Sequence, residues 1–299
     1  MTTTSNNIRV LLWNTLEGLF STGYMDYSPE WSRCFEEKSG QGPYIRQSGF
    51  SGLGYARKKN EGGGIAYDDV ESTFLAEFFP QVWALGIRVT EEAFDDNKYK
   101  EVGIEKTENL IRSMKQTKEV NHALIFDRAT NSSYPTADGL EMCSTVHKLH
   151  GGGTFANELT TTANMSEAAI EQAVIDIGNF RDDRGMLIKV MPKLLVHAKD
   201  DQFNAQRILK STNRVGTADN DDNALRSLGA IPDNMSLSYM ESTSKWFILT
   251  DAPKGLQSFT LKAPTFQREN DFETGDFKCK GYERYVPGIG DVRGIFGNG

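Results

Sequence analysis

The second half of this chain is an ordered series of apolar segments that contains no recognisable reactive group of residues. It holds a predicted buried strand at 186–190, a second apolar run at 194–196, a predicted helix over 200–211 and a polar loop at 212–223. Further apolar segments follow at 246–249 and 291–297. Many packing elements with few candidate nucleophiles, acids or bases indicate a building block and not an enzyme.

Length and charge exclude several classes of protein. The 299 residues suffice for one large domain or two intimate ones, and 38% hydrophobic residues argue against global disorder. The net charge of −8 disfavours a protein that grips nucleic acid over its whole surface, because such binding needs clustered lysine and arginine. The net charge does not exclude a local basic patch.

The cysteines and the apolar stretches indicate the compartment. Cys34, Cys143 and Cys279 are far apart and odd in number, which is typical of a reducing environment. The N-terminus lacks a basic segment followed by a long apolar run, so we predict no secretory signal. The most apolar stretch, 74–87, is interrupted by Glu77 and Pro80 and is shorter than the ~20 residues of a membrane span. We therefore expect a soluble intracellular product without a membrane partner.

The first half contains two segments with few predicted core contacts. Residues 8–24 indicate an arm whose apolar side chains have no compact partner nearby in the sequence, so it should dock onto its own chain or a neighbour. Eight of the 26 residues in 39–64 are glycine, which predicts an extended, flexible hairpin. Both segments should become ordered mainly on assembly.

The middle of the chain predicts strands, a long helix and a second α/β block. Residues 70–89 favour strands, and a helix is expected from Glu91 to about residue 129, with an interruption near Gly103. Asn164 with Glu167 resembles a capping box that opens a further helix. On the long helix, one face carries three cations that we interpret as solvated, with polyanion contact as the alternative: Arg112, Lys115 and Lys118.

Three motifs resemble ligand sites without completing them. Residues 49–54 are glycine-rich, but a phosphate loop needs a helix directly afterwards, and here Arg57-Lys58-Lys59-Asn60 follow, so a hairpin tip is predicted. Cys143, His147 and His150 lack the further ligand that a zinc site of this type needs. The aspartates at 219, 221 and 222 lack the glycine and the terminal glutamate of a calcium loop. We expect no catalytic residue, no cofactor and no metal.

The order of the motifs resembles a known family. Glu61-Gly62-Gly63-Gly64 begins a run to 69 after the glycine-rich hairpin, and residues 85–92 lead into the long helix. The remaining motifs follow in family order at 138–147, 183–185, 194–196, 207–211, 223–225 and 246–249. From about residue 29 to 299 the chain resembles the major capsid proteins of tailed bacteriophages, with the Hong Kong 97-type fold, in the branch of Mu-like major head subunits. It departs from that branch where the family often has Pro-Pro and this chain has residues 197–199.

The resemblance implies an α+β capsid fold with four parts. Residues 1–34 would be the N-terminal arm and 35–70 the extended loop. Residues 71–135 and 256–299 would form the peripheral domain around a long spine helix, and 136–255 the axial domain. The candidates for subunit interfaces lie in the arm and the loop: Trp13, Phe20, Phe50, Leu53, Tyr55 and Arg57.

The resemblance also implies a function. Such a chain would self-assemble into hexamers and pentamers of an icosahedral phage head that encloses double-stranded DNA and contacts it non-specifically. It would assemble in the host bacterial cytoplasm, reside in the virion, and meet a portal protein and, where present, decoration proteins. A scaffold-like N-terminal segment is not recognisable, so we expect a separate scaffolding protein or none.

Two other classes compete with this interpretation. An encapsulin-like nanocompartment would use the same fold to enclose an enzyme cargo. An α/β hydrolase or nucleotide enzyme would instead be a monomer with turnover.

Overall fold

The computed structural model describes residues 5–92, 99–213, 222–270 and 273–298. Within these ranges the α-helices are α1 (Ser5–Met25), α2 (Tyr99–Asp127), α3 (Glu167–Gly178), α4 (Gln202–Lys210) and α5 (Ala224–Leu228). The first strands are β1 (Glu36–Ser39), β2 (Ile45–Phe50), β3 (Ser72–Phe78), β4 (Gln81–Val89), β5 (His147–Lys148) and β6 (Thr154–Phe155). The later strands are β7 (Pro192–His197), β8 (Asp233–Ser236), β9 (Trp246–Thr250), β10 (Leu256–Asn270), β11 (Phe277–Ile289) and β12 (Ile295–Asn298).

The first sheet has the strand order β1-β10-β11-β4 and is covered on one face by α1 and α2. Strand β11 alternates buried and outward residues, as expected for a sheet with one covered face. Gly281 lies on the covered face, where a Cβ would collide with the side chain of Met114. Glycine at this position therefore lets the long helix approach the strand closely.

Helix α2 runs without a break, so the interruption expected near Gly103 is wrong. At that glycine α1 crosses the helix, and a Cβ there would lie 3.5 Å from Leu12 and 3.7 Å from Leu16. The small residue serves close packing between helices and does not end the helix. Residues 93–98 are outside the described ranges, so the predicted start near Glu91 stays a prediction.

The expectation that the arm buries little within its own subunit is wrong for its described side chains. Residues 5–25 form α1, and Leu12, Leu16 and Phe20 are buried at helical spacing against α2 and the first sheet. Their spacing of four residues puts them on one face of the helix. The apolar side chains are recognisable in the sequence, but the surface they contact lies about 80 to 260 residues away in the chain and leaves no local pattern.

The second sheet has the order β12-β9-β7-β8 and is buried on both faces. In β9, Trp246 and Ile248 pack into one core with α3 and α4, while Phe247 and Leu249 pack into a second core with Phe126 of α2. Every residue of β9 is buried, which explains its continuous apolar sequence. Pairing of β12 with β9 brings the C-terminal strand into this sheet, apart from β10 and β11. The four-part domain limits stay a prediction.

Two local predictions in this region are wrong. Residues 186–190 form no regular strand, and Leu187 is exposed; the strand begins at Pro192 and contains the apolar run 194–196. The cap of α3 is Ser166, whose hydroxyl accepts a hydrogen bond from the Ala169 amide at 3.2 Å, and not Asn164. Ser166 is equally suited to capping, so the motif was shifted by two residues.

Among the described residues, no helix is both long enough and apolar enough to cross a membrane.

Candidate assembly surfaces

The most exposed feature of the described chain is the connection between β2 and β3. These two strands form an antiparallel hairpin, and residues 51–71 link them without regular secondary structure. The Ser51 amide donates to the Glu71 carbonyl at 2.8 Å, and the Glu71 amide donates to the Ser51 hydroxyl at 2.9 Å. These bonds hold the two ends of the loop together, so it projects as one unit.

The base of the loop is fixed to the rest of the chain by one carboxylate. Asp68 accepts hydrogen bonds from the Gly54 amide at 2.7 Å and from the Arg184 guanidinium at 2.6 Å, and Arg184 also donates to the Asp69 carbonyl. The Gly54 amide and then Arg184 lower the pKa of Asp68, because both stabilise its charged form. The loop is thus clamped at its base.

Beyond the clamp the loop presents apolar side chains to solvent. Each residue from 52 to 72 is exposed, including Tyr55 at 75%, Ile65 at 66% and Tyr67 at 93% of its surface. Leu53 is also largely exposed, and Phe50 protrudes where the loop leaves β2. Several large apolar side chains exposed on one projecting loop are typical of a surface that a partner covers.

The interface candidates divide between this loop and the arm. Leu53, Tyr55 and Arg57 are exposed on the loop and Phe50 is exposed at the end of β2, and their contact with a neighbour stays a prediction. Phe20 is 3% exposed, with its ring 4.9 Å from that of Phe266, so the structure places it in the core of its own subunit.

Trp13 of the arm is half-buried. Its ring stacks on that of Phe266 with the centroids 5.0 Å apart. The guanidinium carbon of Arg268 lies 5.0 Å from the centroid of the Trp13 ring. Phe20 is thus a core residue of its own subunit and Trp13 retains part of its surface, and contact of either residue with a neighbour stays a prediction.

A buried polar network fixes the end of α1 to α2 and β11. The Tyr24 hydroxyl donates to Glu283 at 3.1 Å, and Glu283 lies 3.8 Å from the Lys118 ammonium. The Tyr27 hydroxyl donates to Glu119 at 2.6 Å. Burial raises the pKa of Glu283, although Lys118 opposes that shift. The interpretation of the helix cations as a solvated face is therefore wrong for Lys118.

The two remaining cations of that helix face, Lys115 and Arg112, differ in their exposure to solvent. Lys115 is half-buried and donates to the Gly23 carbonyl at 2.5 Å, whereas Arg112 is exposed. Spacing along the helix could not distinguish these positions, because the rings of Trp31 and Tyr285, far away in the sequence, lie over Lys118 and leave Arg112 exposed.

Of the three residues that resembled part of a zinc site, Cys143 and His147 are buried and His150 is exposed. His147 is buried, with Nδ1 2.7 Å from Asp138 and its ring stacked on Phe155. Cys143 is fully buried, and burial raises the pKa of its thiol. Among the described residues no three His, Cys, Asp or Glu side chains are grouped to hold a metal ion. Residues 219 and 221 of the aspartate-rich loop are outside the described ranges.

A second exposed surface, which was not predicted from the sequence, is the face of the first sheet opposite α1 and α2. Lys278, Lys280 and Arg284 alternate with buried residues along β11 and project from this face. The signal was present in 277–285, where every second residue is polar or charged, but that period was not interpreted.

Comparisons with known proteins identify the family and the fold. A family model described as phage capsid protein matches residues 76–298. A virus-like particle from Pyrococcus furiosus superposes with TM-score 0.54 at 10% identity, covering 96% of this chain and 98% of that chain. The procapsid of bacteriophage JBD30 gives 0.53 at 11% identity, with 98% and 75% covered. A structure from Microbacterium phage Oxtober96 gives 0.51 at 11% identity, with 91% and 90% covered.

A search of curated proteins finds no match. The Mu-like branch within the family stays a prediction. Because the matching family model spans about three quarters of the sequence, and the solved structures share its fold, this chain belongs to the phage capsid protein family and has the Hong Kong 97-type fold.

Proposed function

We propose that this chain is the major capsid protein of a tailed bacteriophage, and that its copies form the hexamers and pentamers of an icosahedral head around double-stranded DNA. Membership of the capsid family supports a structural shell role. A portal protein would be its partner in the head, with decoration proteins where present, and a separate scaffolding protein or none would act during assembly. The excess of acidic residues suits a wall that encloses DNA without gripping it.

The observation that carries this proposal is the projecting loop. A chain that served as a monomer would gain nothing from holding Tyr55, Ile65 and Tyr67 in water, since burial of each would be favourable. The clamp from Arg184 to Asp68 fixes the base and leaves the remainder available to a second copy. A fixed base with an adaptable tip suits contacts that must differ between hexamers and pentamers.

Replacement of residues 55–67 by two glycines tests this role. Gly54 and Asp68 are in direct contact, so a short connection can close the loop without disturbing the clamp. We expect a subunit that unfolds at the same temperature as the wild type but forms no closed shells in electron micrographs. Normal shells from this variant would contradict the role assigned to the loop.

The alternative function is that of a nanocompartment shell. We retain it because the chain is similar in fold to a virus-like particle from Pyrococcus furiosus. That similarity, like those to the phage structures, establishes the fold alone. Nuclease-resistant double-stranded DNA within purified particles would favour the phage head. A co-purifying enzyme and no nucleic acid would favour the nanocompartment.

A further inference from the structure

We propose that β4, the outermost strand of the first sheet, pairs antiparallel with β4 of a second copy about a two-fold axis, so that two subunits share one continuous sheet. The inference rests on the proposed function and adds a contact that joins one hexamer or pentamer to the next. Head-to-tail contacts close a ring of subunits, and a contact about a two-fold axis can join such rings into a shell.

The outer edge of β4 is open. The strand pairs with β11 along all nine residues of Gln81–Val89, and it is the last strand in the order of the sheet. Among the described strands, none pairs with its other side. The backbone N–H and C=O groups along an unpaired side are a template for a further strand.

Strand β4 lacks most of the features that protect edge strands in proteins. Such strands are usually short, charged, interrupted by proline or bulged. The opposite edge of the sheet follows that rule, since β1 has four residues, of which three are charged: Glu36, Glu37 and Lys38. Strand β4 is longer, pairs with β11 without a bulge and has Arg88 as its one charged residue. The Lys106 ammonium donates to the Arg88 carbonyl at 2.7 Å, which covers that end of the strand and leaves its centre exposed.

The side of β4 that faces the helices is apolar but incompletely covered. Trp83, Leu85 and Ile87 lie opposite residues 283, 281 and 279 of β11, which are buried beneath the helices. Leu85 is nevertheless 45% exposed, and Trp83 and Ile87 are half-buried. A strand added at this edge would extend the apolar side of the sheet and cover all three side chains.

The sequence of β4 is complementary to itself about its central residue. A two-fold axis at Leu85 places this side chain opposite Leu85 of the second copy, and it places Trp83 opposite Ile87 of the second copy. Aromatic and branched aliphatic side chains are favourable partners across antiparallel strands.

The same register suits the other face of the strand and its backbone. It places the exposed Val82 opposite Arg88 of the second copy, so the one charged residue of the strand does not meet its own copy. Each residue meets a partner an even number of positions away in the sequence. Because backbone groups alternate in direction along a strand, the outward N–H and C=O groups of one copy then meet those of the other.

Disulfide cross-linking of assembled particles tests the pairing. The cysteines of the wild type are buried, so an introduced thiol at the strand edge is the exposed one. Directly opposed residues of antiparallel strands have Cα atoms about 4.5–5.5 Å apart, which a disulfide can span. Every subunit of an icosahedral shell adjoins an exact or local two-fold axis. After mild oxidation, Leu85→Cys should therefore migrate almost entirely as a dimer on a non-reducing denaturing gel.

A second pair of exposed positions tests the register. Val82→Cys and Arg88→Cys should each stay monomeric on the gel, because the same position in the two copies lies ~20 Å apart along the strands. The double variant should form dimers, because residue 82 of one copy lies opposite residue 88 of the other.

The outcomes separate the inference from the proposed function. Particles in which either Leu85→Cys or the double variant stays monomeric would overturn the inference and leave the proposed function intact. Dimers from Val82→Cys or Arg88→Cys alone would overturn the two-fold register. A wild-type chain that formed no particles would overturn the proposed function, and the inference with it.

Discussion

At the residue scale, His122 of α2 is the group that we expect to contribute most to the pH dependence of folding stability. Its ring lies between Trp31 at 4.3 Å and Tyr285 at 5.7 Å, with Nδ1–H donating to the Lys118 carbonyl at 2.7 Å. Nε2 accepts from the Ser258 hydroxyl at 2.9 Å. Burial, with a smaller contribution from the Lys118 charge, lowers the pKa of His122 to about 3. The neutral ring is therefore part of the folded core.

We expect protonation of His122 to lower the folding stability in acid. Because its pKa is lower in the folded chain, its contribution is present above the ordinary histidine pKa of about 6.5 and is lost as pH falls toward 3. The loss from this group should approach about 1.4 kcal/mol per pH unit. His122→Phe should be less stable at pH 7 by roughly 1–3 kcal/mol but flatter between pH 6 and 4.

Denaturant unfolding at several pH values measures both effects. His150→Phe, which alters an exposed histidine, is the matched control and should follow the wild-type slope. Equal slopes for the wild type and His122→Phe would show that His122 does not carry the acid sensitivity.

At the element scale, the position of α1 is the main departure from the arm expected from sequence. Leu16 is fully buried beneath the helix, between α2 and the first sheet. Leu16→Ala should lower the free energy of unfolding of the isolated subunit by roughly 2–5 kcal/mol. Glu17→Ala, one residue on and exposed, should change it by less than about 0.5 kcal/mol. An unchanged stability for Leu16→Ala would mean that α1 is undocked before assembly.

A second element-scale prediction concerns the crossing between the start of β10 and the turn before β12. A Cβ on Gly255 would lie 3.0 Å from the Gly294 Cα, and a Cβ on Gly294 would collide with the Gly255 backbone. Gly294→Ala should therefore cost roughly 1–3 kcal/mol, because backbone on both sides must shift. Gly18→Ala, in open space on α1, should stabilise by up to about 1 kcal/mol. Thermal unfolding distinguishes the two, and equal effects would contradict the close crossing.

The elements also show what sequence could establish. Strong local patterns were predicted correctly, such as the strands within 70–89, the long helix to about residue 129 and the buried run 246–249. The predictions were wrong where contacts between residues far apart in the sequence determine the local structure or burial. Residues 186–190 form only an isolated bridge, between Leu187 and Arg181, and Lys118 is buried because Trp31 and β11 meet over it. The flexible loop was recognisable from its glycines, whereas the exposed face of the first sheet depends on which strands pair and in which register.

At the scale of the whole molecule, the two sheets and α2 pack into a body from which the loop 51–71 projects. Two sheets share α2 as a common support, since α2 contacts the first sheet along its length and places Phe126 in a core of the second. The loop 51–71 leaves this body with its base clamped and its tip exposed. Such a subunit can keep its shape while its contacts with neighbours vary, which is what a closed shell of chemically identical subunits requires.

The most direct test of the shell role is cryo-electron microscopy of particles formed by the purified wild-type chain at high concentration. We predict closed shells with five-fold vertices and six-fold capsomers, in which residues 52–72 of each subunit lie on a neighbour. A chain that stays monomeric at every concentration, with that loop in solvent, would contradict the account.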